Sequence, residues 1–176
     1  KIDYPELRYN SIHYLDSIRY LFGEPLCVNA TLLSSNNEIK KKPTNIFVDI
    51  KFSNELSGIL NITHDSELTN NKWTAGYEII GENGICSGII SSMIGNGVNF
   101  NDKISLSYIK KNKKINVEKI LEGRWFSESF AGPMFSLMNS IQNNYQPETN
   151  FFDAYKTLNL LEKVIISHES KKWIEL

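Results

Sequence analysis

Residues 77–90, Y-E-I-I-G-E-N-G-I-C-S-G-I-I, set two β-rich runs on either side of a Gly81-Glu82-Asn83-Gly84 break. An Asn-Gly pair between such runs is the strongest short-range hairpin signal, so 77–80 and 85–90 are predicted to pair antiparallel. Working outward, Ile46, Val48, Ile50 and Phe52 alternate with Phe47, Asp49 and Lys51, as a half-buried strand requires. A β-compatible run over 26–33 precedes them. Residues 58–64 follow, with Leu60 and Ile62 on one face. Downstream, Ile104, Leu106 and Tyr108 alternate with serines, a Lys/Asn turn intervenes, and Ile115 and Val117 complete a second predicted hairpin.

Helical spacing flanks this β region. Ile12, Leu15, Ile18 and Phe22 recur on one face of a helix predicted over 11–22, with Asn10 or Ser11 as cap and Gly23 and Pro25 as stop. After Gly123 the period returns to 3.6. Pro133 suits a first helical turn, and Met134, Leu137, Met138 and Ile141 make an apolar face that ends at Asn143-Asn144. A last helix is predicted from Asn150, with Ala154, Leu158, Leu161 and Ile165 as its buried stripe. The order helix, strands, two helices predicts an α+β fold in one domain over 1–176. It is expected to be a mainly antiparallel open sheet with helices packed on one face. Residues 26–117 are predicted to form a single sheet, covered by the helices that bear His13, Met138 and Leu161.

The chain has 176 residues, 41% hydrophobic and 22% charged, which is ordinary for a globular domain with a core. Nineteen Lys and Arg against twenty Asp and Glu leave a net charge of −1, so the overall field predicts neither a nucleic-acid nor a membrane partner. Lys40, Lys41 and Lys42, and Lys110, Lys111, Lys113 and Lys114, fall between alternating segments without interleaved aromatics and read as solvated turns. No run approaches the ~18 apolar residues of a spanning helix. Cys27 and Cys86 lack disulfide-framework or zinc spacing, which predicts no metal site and reduced thiols in a cytoplasmic protein. Gly95-Asn96-Gly97 lacks the third glycine and the strand-turn-helix setting of a dinucleotide site, and reads as a loop.

Titratable groups concentrate in one place, Arg8-Tyr9-Asn10-Ser11-Ile12-His13-Tyr14-Leu15-Asp16. On a helix His13 shares a face with Tyr9, Asp16 and Tyr20. An imidazole there suits general acid/base work near neutral pH, with Asp16 or a backbone group fixing its tautomer. By spacing alone a satisfied histidine on a helix flank is the simpler reading. His64 reads as a loop-edge histidine, and His168 as a cationic cap at a helix C-terminus. Trp73, Trp125 and Trp173 are too dispersed for an aromatic cage and read as core or interface residues. Arg124-Trp125-Phe126 could border a pocket.

Residues 10–25, N-S-I-H-Y-L-D-S-I-R-Y-L-F-G-E-P, resemble the G-x-H-x-I-D-x-x-R-x-L-x-G-E-P signature of the glucose-fructose oxidoreductase, inositol dehydrogenase and MocA (Gfo/Idh/MocA) family. Residues 77–86 resemble that family's G-x-x-G hairpin, 135–147 its helix ending in Pro, and 153–176 its closing helix and strand. The resemblance implies the glyceraldehyde-3-phosphate-dehydrogenase-like C-terminal domain of an oxidoreductase acting on a sugar or polyol. It also implies NAD or NADP, bound mainly by an N-terminal Rossmann domain that is expected to be absent here, since neither that domain's Gly-rich phosphate turn nor the family's following Glu-Lys-Pro motif occurs; an excised C-terminal segment would also account for the opening on Lys1 without Met. The fragment alone is then expected to be inactive. In the family's Asp-x-x-x-His pattern His13 occupies the catalytic histidine position, and Tyr9 stands where the aspartate usually is. A phenol of ordinary pKa is no substitute base, although it can donate a hydrogen bond. Arg8, Tyr9 and Asn10 are the expected contacts to a sugar-like substrate, and the open sheet face is the expected surface for a homo-oligomer. The alternative is a non-catalytic binding or dimerisation module on the same scaffold.

Overall fold

Pro5, with its fixed φ and missing N–H, sits in the opening turn of the first helical segment, a full turn earlier than the sequence predicts. In the computed structural model, residues 3–34, 43–53, 55–63, 75–90, 102–121 and 128–176 are described. A π-helical turn, Leu7–Ser11, leads into α1 (Ile12–Phe22). The strands are β1 (Cys27–Leu33), β2 (Asn45–Lys51), β3 (Ser57–Thr63), β4 (Ala75–Gly81), β5 (Gly84–Ile90), β6 (Lys103–Lys110) and β7 (Lys113–Ile120). Then come α2 (Ala131–Asn143), α3 (Phe151–Ser170) and β8 (Ile174–Glu175). The fold is α+β, as predicted. Lys40, Lys41, Lys42, His64, Trp73, Gly95, Asn96, Gly97, Arg124, Trp125 and Phe126, each singled out in the sequence, lie outside the described residues.

All described strand pairs are antiparallel, but they form two four-stranded sheets, β3-β2-β1-β8 and β4-β5-β6-β7, in place of the single sheet predicted. Alternation reports which face of a strand is apolar, and a tight turn reports its hairpin partner. Neither reports which outer edges meet. The chain accordingly gathers into two compact units, one of Lys1–Ser66 with Glu148–Leu176 and the other of Glu67–Pro147.

In the first unit the predicted alternation holds: Ile46, Val48, Ile50 and Phe52 are all buried. Register carries the apolar face across the sheet, with Ala30 opposite Val48 and Val48 opposite Leu60. Leu15 of α1 and Leu160, Leu161, Val164 and Ile165 of α3 complete this core. Burying each such side chain is worth about 1.5–3 kcal/mol relative to exposure. The buried side of α3 differs from the predicted stripe, because Ala154 and Leu158 are exposed and Thr157, Leu160 and Val164 face inward. Residues 158–166 are apolar on more than one side, so periodicity leaves the rotation of the helix undetermined, and the contacts to β1 select it.

Those contacts close an edge. β8 pairs with β1 only at Cys27 and Val28, which leaves the N–H groups of Ala30 and Leu32 facing outward. Ser167 Oγ accepts from Ala30 N at 2.9 Å, and His168 Nδ1 accepts from Leu32 N at 3.1 Å. Side chains of α3 thus replace a neighbouring strand. His168 is therefore not the cationic cap predicted. Lys171, in the left-handed conformation, ends α3 with its N–H on Ser167 O. The start of α3 is as expected, since Asn150 Oδ1 accepts from Phe152 N and Asp153 N. Trp173 is half-exposed, with Lys51 Nζ 4.3 Å from its ring centroid.

In the second unit both predicted hairpins form. Glu82 and Asn83 make the first turn, flanked by Gly81 paired with Gly84. A Cβ on Gly84 would lie 2.5 Å from Ser107 O on β6, so strand packing there requires glycine. Lys111 and Asn112, at φ 49° and 59°, supply the left-handed pair that closes β6 onto β7. Pro133 lies in the first turn of α2, and Asn144 caps it in the left-handed conformation. The apolar residues predicted as one α2 face, Met134, Leu137, Met138 and Ile141, are all exposed, and Ser140 is its buried residue. The helices bearing His13 and Leu161 thus belong to one unit and the helix bearing Met138 to the other, so the expectation of all three on one sheet face gives way to two separately built units.

Candidate functional site

The π-helical turn carries Arg8, Tyr9 and Asn10, and His13 follows on the first turn of α1. Because helical structure already begins at Pro5, Asn10 and Ser11 lie inside the helix and neither caps it. The predicted cap is corrected accordingly. A π turn is a rare and unfavourable insertion that recurs near functional sites. Ser11, fully buried at the junction, has a hydroxyl without a hydrogen-bond partner among the described residues, and an unmade bond of this kind typically costs about 1–3 kcal/mol.

His13 is exposed, and its imidazole makes no hydrogen bond among the described residues. Tyr9, four residues before it, is 57% exposed. Arg8 is committed elsewhere, with its Nη1 2.7 Å from Glu162 Oε1 on α3 and its Nε on Asp3 O. Asn10 turns its Nδ2 back to Glu6 Oε2 at 2.8 Å. Arg8, Tyr9 and Asn10 therefore share the π-helical turn with His13 two residues beyond it, and Arg8 and Asn10 hold the turn in place.

Asp16, predicted to fix the His13 tautomer, belongs to another cluster. Its Oδ1 accepts from Thr157 Oγ1 and lies 3.5 Å from Arg19 Nη1. Arg19 is the centre of that cluster, with its side chain only 4% exposed. Nε and Nη2 donate to the two Glu24 oxygens at 3.0 and 2.8 Å, Nη2 also to Asp153 Oδ1 at 2.9 Å, and Nη1 to Asp153 O and Thr157 Oγ1. Lys156 Nζ adds a second cation 3.2 Å from Glu24. Hydrogen bonds from Arg19, opposed by burial and helped by Lys156, pull the Glu24 carboxyl down to about 2. The hydrogen bond to Glu24, and then that to Asp153, in turn raise the Arg19 guanidinium against the burial that lowers it.

This cluster is not legible from spacing, although most of its residues lie in the signature at 10–25. Asp16, Arg19 and Glu24 are the D-x-x-R and G-E positions of the signature at 10–25, and their partners Asp153 and Thr157 lie more than 130 residues away. The signal present was an Asp-x-x-Arg pair on a face that also carries buried apolar residues. A fork of five donors there needs distant acceptors. Around it opens a cleft of about 430 Å³, lined by Asp16, Tyr20 and Glu24 on the α1 side and by Glu148, Thr149 and Asp153 from the start of α3. His13 is not among its lining residues.

Among the described residues no group of three or more His, Cys, Asp or Glu is arranged to hold a metal ion. None of the described helices is long and apolar enough to cross a membrane. No glycine-rich turn among the described residues leads from a strand into a helix.

The chain's architecture recurs in solved structures. Levoglucosan dehydrogenase, in complex with NADH and L-sorbose, superposes with a TM-score of 0.74 at 16% identity, covering 96% of this chain and 49% of the other. An aldose-aldose oxidoreductase from Caulobacter crescentus, complexed with glycerol, gives 0.69 at 17% identity, over 94% and 45%. An oxidoreductase from Agrobacterium radiobacter, in complex with NAD+, L-tartaric acid and magnesium, gives 0.72 at 16% identity, over 94% and 47%. At such identities the likeness shows the fold, and the chain spans about half the length of these proteins. No curated protein sequence matches it. The model of the oxidoreductase family's C-terminal alpha/beta domain matches residues 7–176, nearly the whole chain. The chain therefore belongs to the Gfo/Idh/MocA oxidoreductase family, as its C-terminal alpha/beta domain.

Proposed function

We propose that this chain is the substrate-facing part of an NAD(P)-dependent oxidoreductase acting on a hydroxyl or keto carbon of a sugar or polyol. The nicotinamide cofactor, bound mainly outside these residues, supplies hydride exchange. His13 donates or accepts the proton at the substrate oxygen. One observation carries the reading: an exposed imidazole, unengaged among the described residues, stands two residues past the end of a π-helical turn and a buried hydroxyl that has no partner among them, an arrangement that stability alone does not favour. Tyr9 supplies a hydrogen bond to the substrate from the aspartate position. Arg8 and Asn10 support the turn through Glu162 and Glu6 and reach substrate only by giving up those bonds. The structural neighbours whose complexes hold NADH or NAD+ with a sugar or hydroxy acid favour the same class of chemistry.

In the full-length protein, His13→Ala is expected to lower turnover about a hundredfold or more with nucleotide affinity unchanged, since a general acid/base contributes 10²–10⁴. Unchanged turnover would favour the second reading, a non-catalytic binding or dimerisation module. Tyr9 in place of a carboxylate, and Asp16 engaged by Arg19 and Thr157, are the observations on its side.

A second copy of the chain is the proposed partner of the β4–β7 sheet. Ile79, Cys86, Leu106 and Val117 face one another across all four strands, with Tyr77, Ile104, Tyr108 and Ile115 on the same face. Tyr77, Leu106 and Val117 are 40–50% exposed. The opposite face carries Glu78, Ser87, Ser105 and Glu118 across its middle, with Ile80, Ile85, Ile89, Ile109 and Ile120 exposed around them. Four strands of about seven residues present roughly 450 Å² of flat face per copy, close to half of what a specific interface buries.

A further inference from the structure

His168 has a geometry that neither a helix cap nor the family assignment accounts for. It lies on the last turn of α3, and its Nδ1 accepts the N–H of Leu32, a residue 5% exposed on the β1 edge that β8 does not cover. Its ring meets the edge of Tyr4, with centroids 6.4 Å apart and planes at 82°. Tyr4 is itself buried, and its hydroxyl donates to Glu169 Oε1 at 3.0 Å. Tyr4 opens the segment that continues into the π-helical turn, where Arg8 N bonds to Tyr4 O.

We propose that His168 is a proton-operated latch, which in its neutral form closes the edge of β1 at Leu32 and seats Tyr4, and on protonation releases both. The chemistry is that of the two ring nitrogens. A neutral imidazole accepts at Nδ1 only when its proton is on Nε2, and an imidazolium accepts at neither. Protonation therefore leaves the buried Leu32 N–H without an acceptor. It also creates a cation next to Glu169, the carboxylate that holds the Tyr4 hydroxyl, so the ring and Tyr4 compete for one group.

Among the described residues, the charges acting on His168 are Glu169 and Lys171, from α3 and its cap; the N-terminal segment brings Tyr4, whose own hydroxyl feels Glu169 and Asp3, and β1 brings the Leu32 amide and no charged side chain. Burial holds the imidazole below its usual range, Glu169 opposes this and Lys171 reinforces it. A depressed folded-state pKa means that the neutral form is favoured on folding. The stability it contributes is present above about pH 6.5 and is lost as pH falls through the folded value. The proposal stands apart from the proposed activity, since no step of it involves His13.

Amide hydrogen exchange on the 176-residue chain, read by NMR at about pH 7.5 and about pH 5 and corrected for intrinsic rates, tests it. The protection factor of Leu32 should fall about tenfold or more at the lower pH, while Ala30, held by the non-titrating Ser167, keeps its protection. In His168→Asn, whose amide oxygen can accept without titrating, Leu32 protection should be the same at both pH values. Imidazole nitrogen shifts should show the Nε2–H tautomer near neutral pH. An Nδ1–H tautomer would overturn the proposal, as would equal losses at Leu32 and Ala30. If His168→Asn does not fold, the tautomer and the Leu32–Ala30 contrast in the unaltered chain decide.

Discussion

Replacing Arg19 with alanine should destabilise the unit built on β1, β2 and β3 more than any other single polar change. The guanidinium is almost fully buried and its donors reach Glu24, Asp153 and Thr157. Removing one side of a buried ion pair typically costs about 3–5 kcal/mol, because the partners stay desolvated. Here the partners are less buried than the cation, with Glu24 52% and Asp153 34% exposed, so water recovers part of the loss. That discount brings the expectation to about 2–4 kcal/mol. With a urea m-value of about 2 kcal/mol/M, the unfolding midpoint should fall by about 1–2 M. Arg19→Lys keeps the charge but loses the planar fork, and should fall between the two. The double variant Arg19→Ala/Asp153→Ala should be less damaging than the sum of the singles by about 1 kcal/mol or more. A midpoint for Arg19→Ala within about 0.3 M of the parent, or a strictly additive cycle, would refute the assignment of Arg19 as the clamp between α1 and α3.

The same cluster gives a pH prediction. Glu24 is held down to about 2, so its contribution is present above the ordinary carboxylate pKa and is lost as pH falls from about 4.5 through that value. Urea midpoints of the parent should drop across this window more steeply than those of Glu24→Gln. In the other unit, a Cβ on Gly88 would lie 2.4 Å from the Tyr77 ring, so Gly88→Ala should destabilise by about 1–3 kcal/mol. Thermal unfolding should show Tyr77→Ala relieving most of that loss, and no relief would mean that the backbone, not the ring, is the obstacle. For the proposed dimer, light scattering should find the chain two-fold associated and Leu106→Lys or Val117→Asp monomeric. A parent that stays monomeric at high concentration would remove the sheet face as an interface.

The sequence by itself determined what short-range periodicity and turn chemistry can fix. Alternation placed Ile46, Val48, Ile50 and Phe52 inward, the two hairpins turned where glycine or left-handed residues allow, and Asn150 opened α3. It also carried the motifs that led to the family and the helical spacing that sets His13 one turn from Tyr9. Tertiary structure decided whatever depends on partners far along the chain. Residues 158–166 are apolar on several sides, and contacts made in the folded unit, among them those of Ser167 and His168 with the N–H groups of Ala30 and Leu32, select the face that α3 turns toward β1. Asp16 was legible as a neighbour of His13 at helical spacing. It is drawn instead to Arg19 and Thr157, because a buried guanidinium must satisfy five donors and its acceptors come from α3. Likewise His168, which near a helix end reads as a cation, is pushed by burial below its usual pKa range and accepts from Leu32 N. The group it must satisfy is an N–H donor on β1, and only a folded sheet edge puts that donor within reach.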